Sequence, residues 1–251
     1  MAVVVTRPAQ DALRWADQLR GRGFEPLVLP LIAIGPAPDA QALQQAAAQA
    51  DDHAAVMFVS ANAVQGFFDA APTFARARAW APGPATREAL LAAGVAPARI
   101  DAPAADAGQF DSESLWEQVA GQLRPGDRLL VVRGADAAGR SQGREWLAQQ
   151  AAAAGARVDH VAAYRRELPA WSDAEVQQAS RAAGDGSWWL FSSSEAARNL
   201  ATLLPAQDWS RARAVATHPR IVQSVRALGF ATVLASRPAF EDVVASIESG
   251  R

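Results

Sequence analysis

Tyr164 is the only tyrosine in the chain. It follows the apolar-rich run Val158-Asp159-His160-Val161-Ala162-Ala163 and precedes Arg165-Arg166-Glu167-Leu168-Pro169. A phenol at a strand end beside two guanidiniums can donate a proton to a leaving group. The same residue can equally pack its ring and leave its hydroxyl in water, and position alone does not choose. The other candidates cluster where short apolar runs end: Thr6-Arg7, Ser60, Gly83-Pro84-Ala85-Thr86, Arg133-Gly134, Ser192-Ser193-Ser194 and Thr217-His218. Several stand directly before a helical segment, where free amide N–H groups and the positive end of the helix dipole favour an anion. Each Ser or Thr there is also a good plain N-cap. Together they point to a large, multiply anionic ligand held mainly by backbone amides.

The residue inventory narrows the chemistry further. All 24 basic residues are arginine, and cysteine is absent. Schiff-base chemistry, a Walker-type lysine, thiol nucleophiles and cysteine-built zinc sites are therefore excluded. His53, His160 and His218 are far apart and in no ligand spacing, so no metal is expected. Gly134-Ala135-Asp136-Ala137-Ala138-Gly139 lacks the Lys-Ser/Thr that completes a phosphate loop. Neither a Gly-x-Ser-x-Gly elbow nor a suggestive carboxylate pair occurs. With a formal net charge of −2, no global positive field would draw in nucleic acid. Met1–Val5 is too short for a signal segment, and no apolar stretch approaches the ~20 residues of a membrane span, so a cytoplasmic location is expected.

These residues need elements to position them. The 251 residues, half of them apolar, can bury a large core. Short β-branched runs alternate with alanine-rich helical segments, the pattern of parallel α/β units. Strand-like cores fall at 3–5, 26–29, 55–59, 78–81, 128–132, 158–163, 188–191, 212–216 and 232–234, and Asp11–Arg20 reads as an amphipathic helix. So many alternations exceed what one sheet usually holds, which argues for two domains. Internal similarity agrees: Phe58-Val59-Ser60-Ala61-Asn62 resembles Phe191-Ser192-Ser193-Ser194-Glu195, and Gly83-Pro84 resembles His218-Pro219 at matching distance from a later glycine.

Read in order, Thr-Arg-Pro at 6–8, Phe-Val-Ser-Ala-Asn-Ala-Val at 58–64 and Gly-Pro-Ala-Thr at 83–86 resemble the uroporphyrinogen-III synthase family. So do Phe-Asp-Ser-Glu-Ser-Leu at 110–115, Leu-Val-Val-Arg-Gly at 130–134 with a Gly-Arg pair at 139–140, Val-Ala-Ala-Tyr-Arg-Arg at 161–166 and Phe-Ser-Ser-Ser at 191–194. The resemblance implies an α/β fold of two flavodoxin-like parallel-sheet domains joined by a two-strand β-ladder, one domain discontinuous. It assigns residues 1–33 and 168–251 to one domain and 34–167 to the other, with 30–35 and 161–166 as the joining strands. The implied reaction is the dehydrating cyclisation of linear hydroxymethylbilane with inversion of ring D, without metal or organic cofactor, in a hinged cleft. Tyr164 matches the family's proposed proton donor. Ser60 and Thr86 match hydroxyls lining the cleft on one domain, and Ser193 the equivalent serine on the other.

Arg7 and Arg133, at strand exits, join the expected contacts to the substrate's carboxylates. The sequence departs from the family where His218-Pro219-Arg220-Ile221 replaces a Gly-Pro-Thr-Thr-type turn. Hydroxyl contacts are lost there, although His218 remains at a strand exit and Arg220 could meet a carboxylate. The expected partner is thus a small-molecule polycarboxylate tetrapyrrole, with no nucleic acid or membrane, acting on a monomer. The departure keeps open a different class, a non-catalytic anion- or tetrapyrrole-binding regulatory module.

Overall fold

The apolar runs become strands and the alanine-rich stretches helices, and the chain visits two compact units, 1–33 with 167–251, and 34–166. The structure, a computed structural model, describes residues 1–70, 74–103, 112–140 and 145–250. Phe110 and Asp111 of the family-like motif lie outside that set. The chain begins with β1 (Ala2–Val5), α1 (Ala9–Gly21) and β2 (Glu25–Val28). It then builds the second unit from β3 (Ala33–Gly35), α2 (Ala40–Ala48), β4 (Ala55–Phe58), α3 (Ala61–Ala70), β5 (Arg78–Trp80) and α4 (Pro84–Ala92). That unit continues through β6 (Ile100–Asp101), α5 (Ser112–Val119), β7 (Arg128–Ala135), α6 (Trp146–Ala153) and β8 (Arg157–Glu167). The return to the first unit adds α7 (Asp173–Ala182), β9 (Trp188–Phe191), α8 (Ser194–Leu203), β10 (Arg213–Ala216), α9 (Pro219–Arg226), β11 (Thr232–Ala235) and α10 (Phe240–Ser249).

In the first unit five parallel strands lie in the order β11-β10-β9-β1-β2. Counted along the chain this is the doubly wound 2-1-3-4-5 arrangement, whose order reverses between β1 and β9. Both faces of its inner strands are covered, so they read as unbroken apolar runs. Trp188 and Leu190 join Val3 and Val5 on one face, while Trp189 and Phe191 join Val4, Trp209 and Phe230 on the other. Trp80, Trp188 and Trp189 are fully buried, and so serve the core. Ser172 closes a reciprocal capping box with Glu175 and so fixes where α7 starts after the chain returns.

The second unit holds a six-stranded mixed sheet in the order β3-β8-β7-β4-β5-β6. Its parallel pairs run β8-β7-β4-β5-β6, with the reversal between β7 and β4. The short β3 pairs with β8 at the edge. Two strands run further than their apolar cores predict. Arg133 and Gly134 lie inside β7, and Tyr164 inside β8, not at strand exits. The pairing persists because β8 is bracketed by β7 and β3, so polar residues continue the ladder beyond the apolar run.

The approach of α3 to β8 is close. A Cβ added to Gly66 would lie 2.2 Å from the Ala163 carbonyl oxygen. Replacing a helical glycine by alanine ordinarily stabilises by up to about 1 kcal/mol. Here the obstructing atom is backbone, so Gly66→Ala is expected to destabilise the protein by about 1–3 kcal/mol. The fall should appear in the urea-unfolding midpoint. An unchanged or raised midpoint would mean that α3 does not pack this tightly on β8.

Candidate active site

In the second unit Ser60 leads into α3, where its hydroxyl accepts the Ala63 amide at 3.2 Å. That is the capping role its position predicts. The same oxygen lies 3.2 Å from the Tyr164 hydroxyl. Sequence distance 104 thus closes to a single hydrogen bond. Two hydroxyl protons are available to this pair. When Ser60 donates to the phenol oxygen, the phenol keeps its own proton for another acceptor, and a phenolate formed by its loss stays hydrogen-bonded. The Tyr164 ring itself is buried in the apolar cluster with Phe58, Phe67, Val132 and Val161.

A register change puts it there. Arg133 pairs with Ala162, but Gly134 pairs with Tyr164, so β8 carries one residue more than β7 at this point. In a regular strand, Tyr164 would share the face of His160 and Ala162, opposite Val161 and Ala163. The extra residue brings Val161, Ala163 and Tyr164 into one apolar cluster, as a bulge re-aims the side chains that follow it.

Arg133 serves a different neighbourhood. Its guanidinium reaches Glu145 at 3.5 Å, before α6, and its Nε is buried with no hydrogen-bond partner among the described residues. Burial first, then the Arg133 charge, pushes the His160 imidazole below its usual pKa. Thr86 is buried in the first turn of α4, which Pro84 begins and Gly83 caps without a side chain. No side chain among the described residues therefore takes up the N-cap hydrogen bond at that helix start.

The first unit supplies the remaining candidates. Arg7 follows β1 with its guanidinium 4.2 Å from the Trp15 ring centroid, and burial lowers its pKa. The adjacent Thr6 hydroxyl donates to the Leu190 carbonyl, tying β1 to β9. Arg7, Trp15, Ser192 and Thr217 line a small surface recess together with Leu190 and Val215. It sits beyond the carboxyl ends of the strands where their order reverses, the usual ligand position in such sheets. Ser193 caps α8, accepting the Glu195 amide at 3.1 Å. His218 caps α9 in the same way, its Nδ1 accepting the Arg220 amide at 3.1 Å. Arg220 is exposed.

Of the residues singled out from the sequence, the structure joins Ser60 to Tyr164, and sets Arg7 beside Ser192 and Thr217. It turns Arg133 to Glu145, and engages Ser193 and His218 with their own helices. Sequence reasoning missed Trp15 beneath Arg7 and the part played by Gly134. Only the glycine next to the strand's arginine hinted at the latter.

The comparisons decide the family. The uroporphyrinogen-III synthase HemD family model matches residues 14–245. The chain belongs to the uroporphyrinogen-III synthase HemD family. The uroporphyrinogen-III synthetase of Helicobacter pylori 26695 shares the fold with a TM-score of 0.63 at 15% identity, covering 100% of both chains. A mutant uroporphyrinogen III synthase of the extremely thermophilic bacterium Thermus thermophilus gives a TM-score of 0.55 at 17% identity, over 99% of this chain and 98% of that one. Among the described residues, no helix of this family member is long and apolar enough to cross a membrane.

At the position where the sequence departs from the family's turn, an imidazole nitrogen now does a cap's work. His218→Ala should cost about 0.5–2 kcal/mol, and His218→Asn, a strong N-cap, should cost little or nothing. Paired urea denaturation curves measure both. Equal losses in the two variants would show that the imidazole's packing matters, not its acceptor nitrogen.

Proposed function

We propose that the protein is a uroporphyrinogen-III synthase, a cyclising hydro-lyase that converts linear hydroxymethylbilane into uroporphyrinogen III and water. The Tyr164–Ser60 hydrogen bond, in a chain matched by the family model from residue 14 to 245, carries this reading. The first step breaks the C–O bond of the pyrrolic hydroxymethyl group. The Tyr164 hydroxyl gives its proton to the departing oxygen, which leaves as water. Ser60, donating to the phenol oxygen, keeps the resulting phenolate solvated by a hydrogen bond. The C–O bond electrons leave with that oxygen, and the pyrrole nitrogen donates density to the electron-deficient carbon, which generates an electrophilic azafulvene.

Ring D then attacks through its substituted carbon. The spiro intermediate fragments, recloses the other way round and loses a proton, which restores the phenol. Every covalent change occurs within the substrate, so the protein's contribution is conformational hold plus one proton relay. An eight-carboxylate ligand requires cations and amides. Arg7, Arg133 and Arg220, with the helix starts at Thr86, Ser193 and His218, are the groups we assign to it. Arg7 is the best prepared of the cations, being stacked on Trp15 at the edge of an open recess. The two units are read as the family's two domains.

Hydroxymethylbilane incubated with the protein, followed by oxidation and isomer separation, tests the assignment. The inverted isomer should form well above the spontaneous rate. Tyr164→Phe should lower turnover by about 10²–10³-fold, within the range of a positioned general acid, while the product remains the inverted isomer. Only the uninverted isomer at the spontaneous rate would overturn the enzymatic reading, and retained tetrapyrrole binding would then favour a binding module.

A further inference from the structure

We propose that Gly134 is a positioning residue, the absent side chain on β7 that seats the Tyr164 ring so that its hydroxyl meets Ser60. The inference rests on the reading of Tyr164 as the acid for its functional meaning, but on geometry alone for the seat. A Cβ built on Gly134 would fall 2.4 Å from Tyr164 Cζ, 2.6 Å from Cε2 and 2.8 Å from the hydroxyl oxygen. All three atoms belong to the end of the ring that would carry the chemistry. Ordinary carbon contacts start near 3.4 Å, so even one methyl group must drive the ring about 1 Å from its seat.

The requirement is for space and not for backbone freedom, since Gly134 is not among the glycines with positive φ. The bulge and the glycine therefore form one device. The extra residue on β8 turns the ring toward β7, and the missing side chain on β7 lets it lie flat there. The 3.2 Å contact to Ser60 is the product of both. A displacement of this size at a proton donor costs about 10²-fold in rate.

The solitary tyrosine makes a direct test possible. Protein labelled with ¹³Cζ-tyrosine gives one resonance, which reports the position of this ring whatever the enzyme's activity. In Gly134→Ala the resonance should move or split, and turnover should fall by about 10²-fold. Adding Gly134→Ala to Tyr164→Ala should cost no further turnover, because the ring that needed the space is gone. An unchanged resonance, or a further loss in the double variant equal to that in the single one, would overturn the proposal. A shifted resonance with wild-type turnover would retain the seat and remove the acid role from Tyr164. Should Gly134→Ala fail to fold, folding restored by Tyr164→Ala supports the seat. Continued failure in the double variant overturns it.

Discussion

One residue too many in β8 sets where the Tyr164 ring lies in the second unit. Without the register change opposite Gly134, strict alternation would send the phenol to the sheet face occupied by Arg133 and His160. It would then be nowhere near α3, and Ser60 would cap a helix and nothing more. The bulge costs a locally disrupted ladder. It is retained in a parallel pair, where bulges are rare, and at the strand that also borders the chain's crossing between units. Gly66 and Gly134 are the two accommodations around it. One allows α3 to approach the Ala163 backbone and the other allows the ring to lie over β7. Neither glycine is needed for a turn.

The arginines divide by environment in a way their spacing conceals. Arg133 is almost wholly buried with a long contact to Glu145, and its charge bears on His160. Arg128 is spent on Asp159, which also meets His53. Arg78 is spent on Asp101. Among the described residues, Arg7 has no such carboxylate contact within hydrogen-bond distance. Its cation rests on an indole face, an arrangement that holds the side chain out of solvent without neutralising it. A guanidinium kept charged, partly desolvated and pre-oriented loses little on meeting a carboxylate. Arginine as the sole basic residue suits such planar, bidentate recognition better than a mixed arginine and lysine complement would.

Much of the fold was legible because parallel α/β units announce themselves by apolar runs of four or five residues between amphipathic helices. All nine strand cores read from the sequence correspond to strands, from Val3–Val5 to Thr232–Leu234. The two short strands at the sheet edges, β3 and β6, bury too few side chains to leave a periodic signal. The ends of β7 and β8 escape the sequence reading for a related reason. Past Val132 and Ala163 the ladder is held by backbone pairing between neighbours, to which side-chain patterning is blind. The crossing of the chain between units left only its prolines, and the family resemblance, not periodicity, suggested it. At the site, residue types marked Ser60 and Tyr164 separately. Their meeting depends on a one-residue register change that no pattern in β8 alone encodes.

Three helix starts differ in how their first amides are capped. At α8 and α9 the side chains of Ser193 and His218 each satisfy one amide and leave the neighbouring N–H groups and the dipole available. At α4 Gly83 offers no side chain, so no cap side chain competes for those amides. The replacement of a glycine by His218 at α9 therefore changes the balance at one position instead of abolishing it. It gives that helix start a side-chain acceptor and about as much stability as an N-cap provides. Arg220, next to it, is exposed. The turn keeps a positive charge without hydroxyls, whereas the Tyr164–Ser60 pair, with one member buried and the other half-buried, has no such substitute.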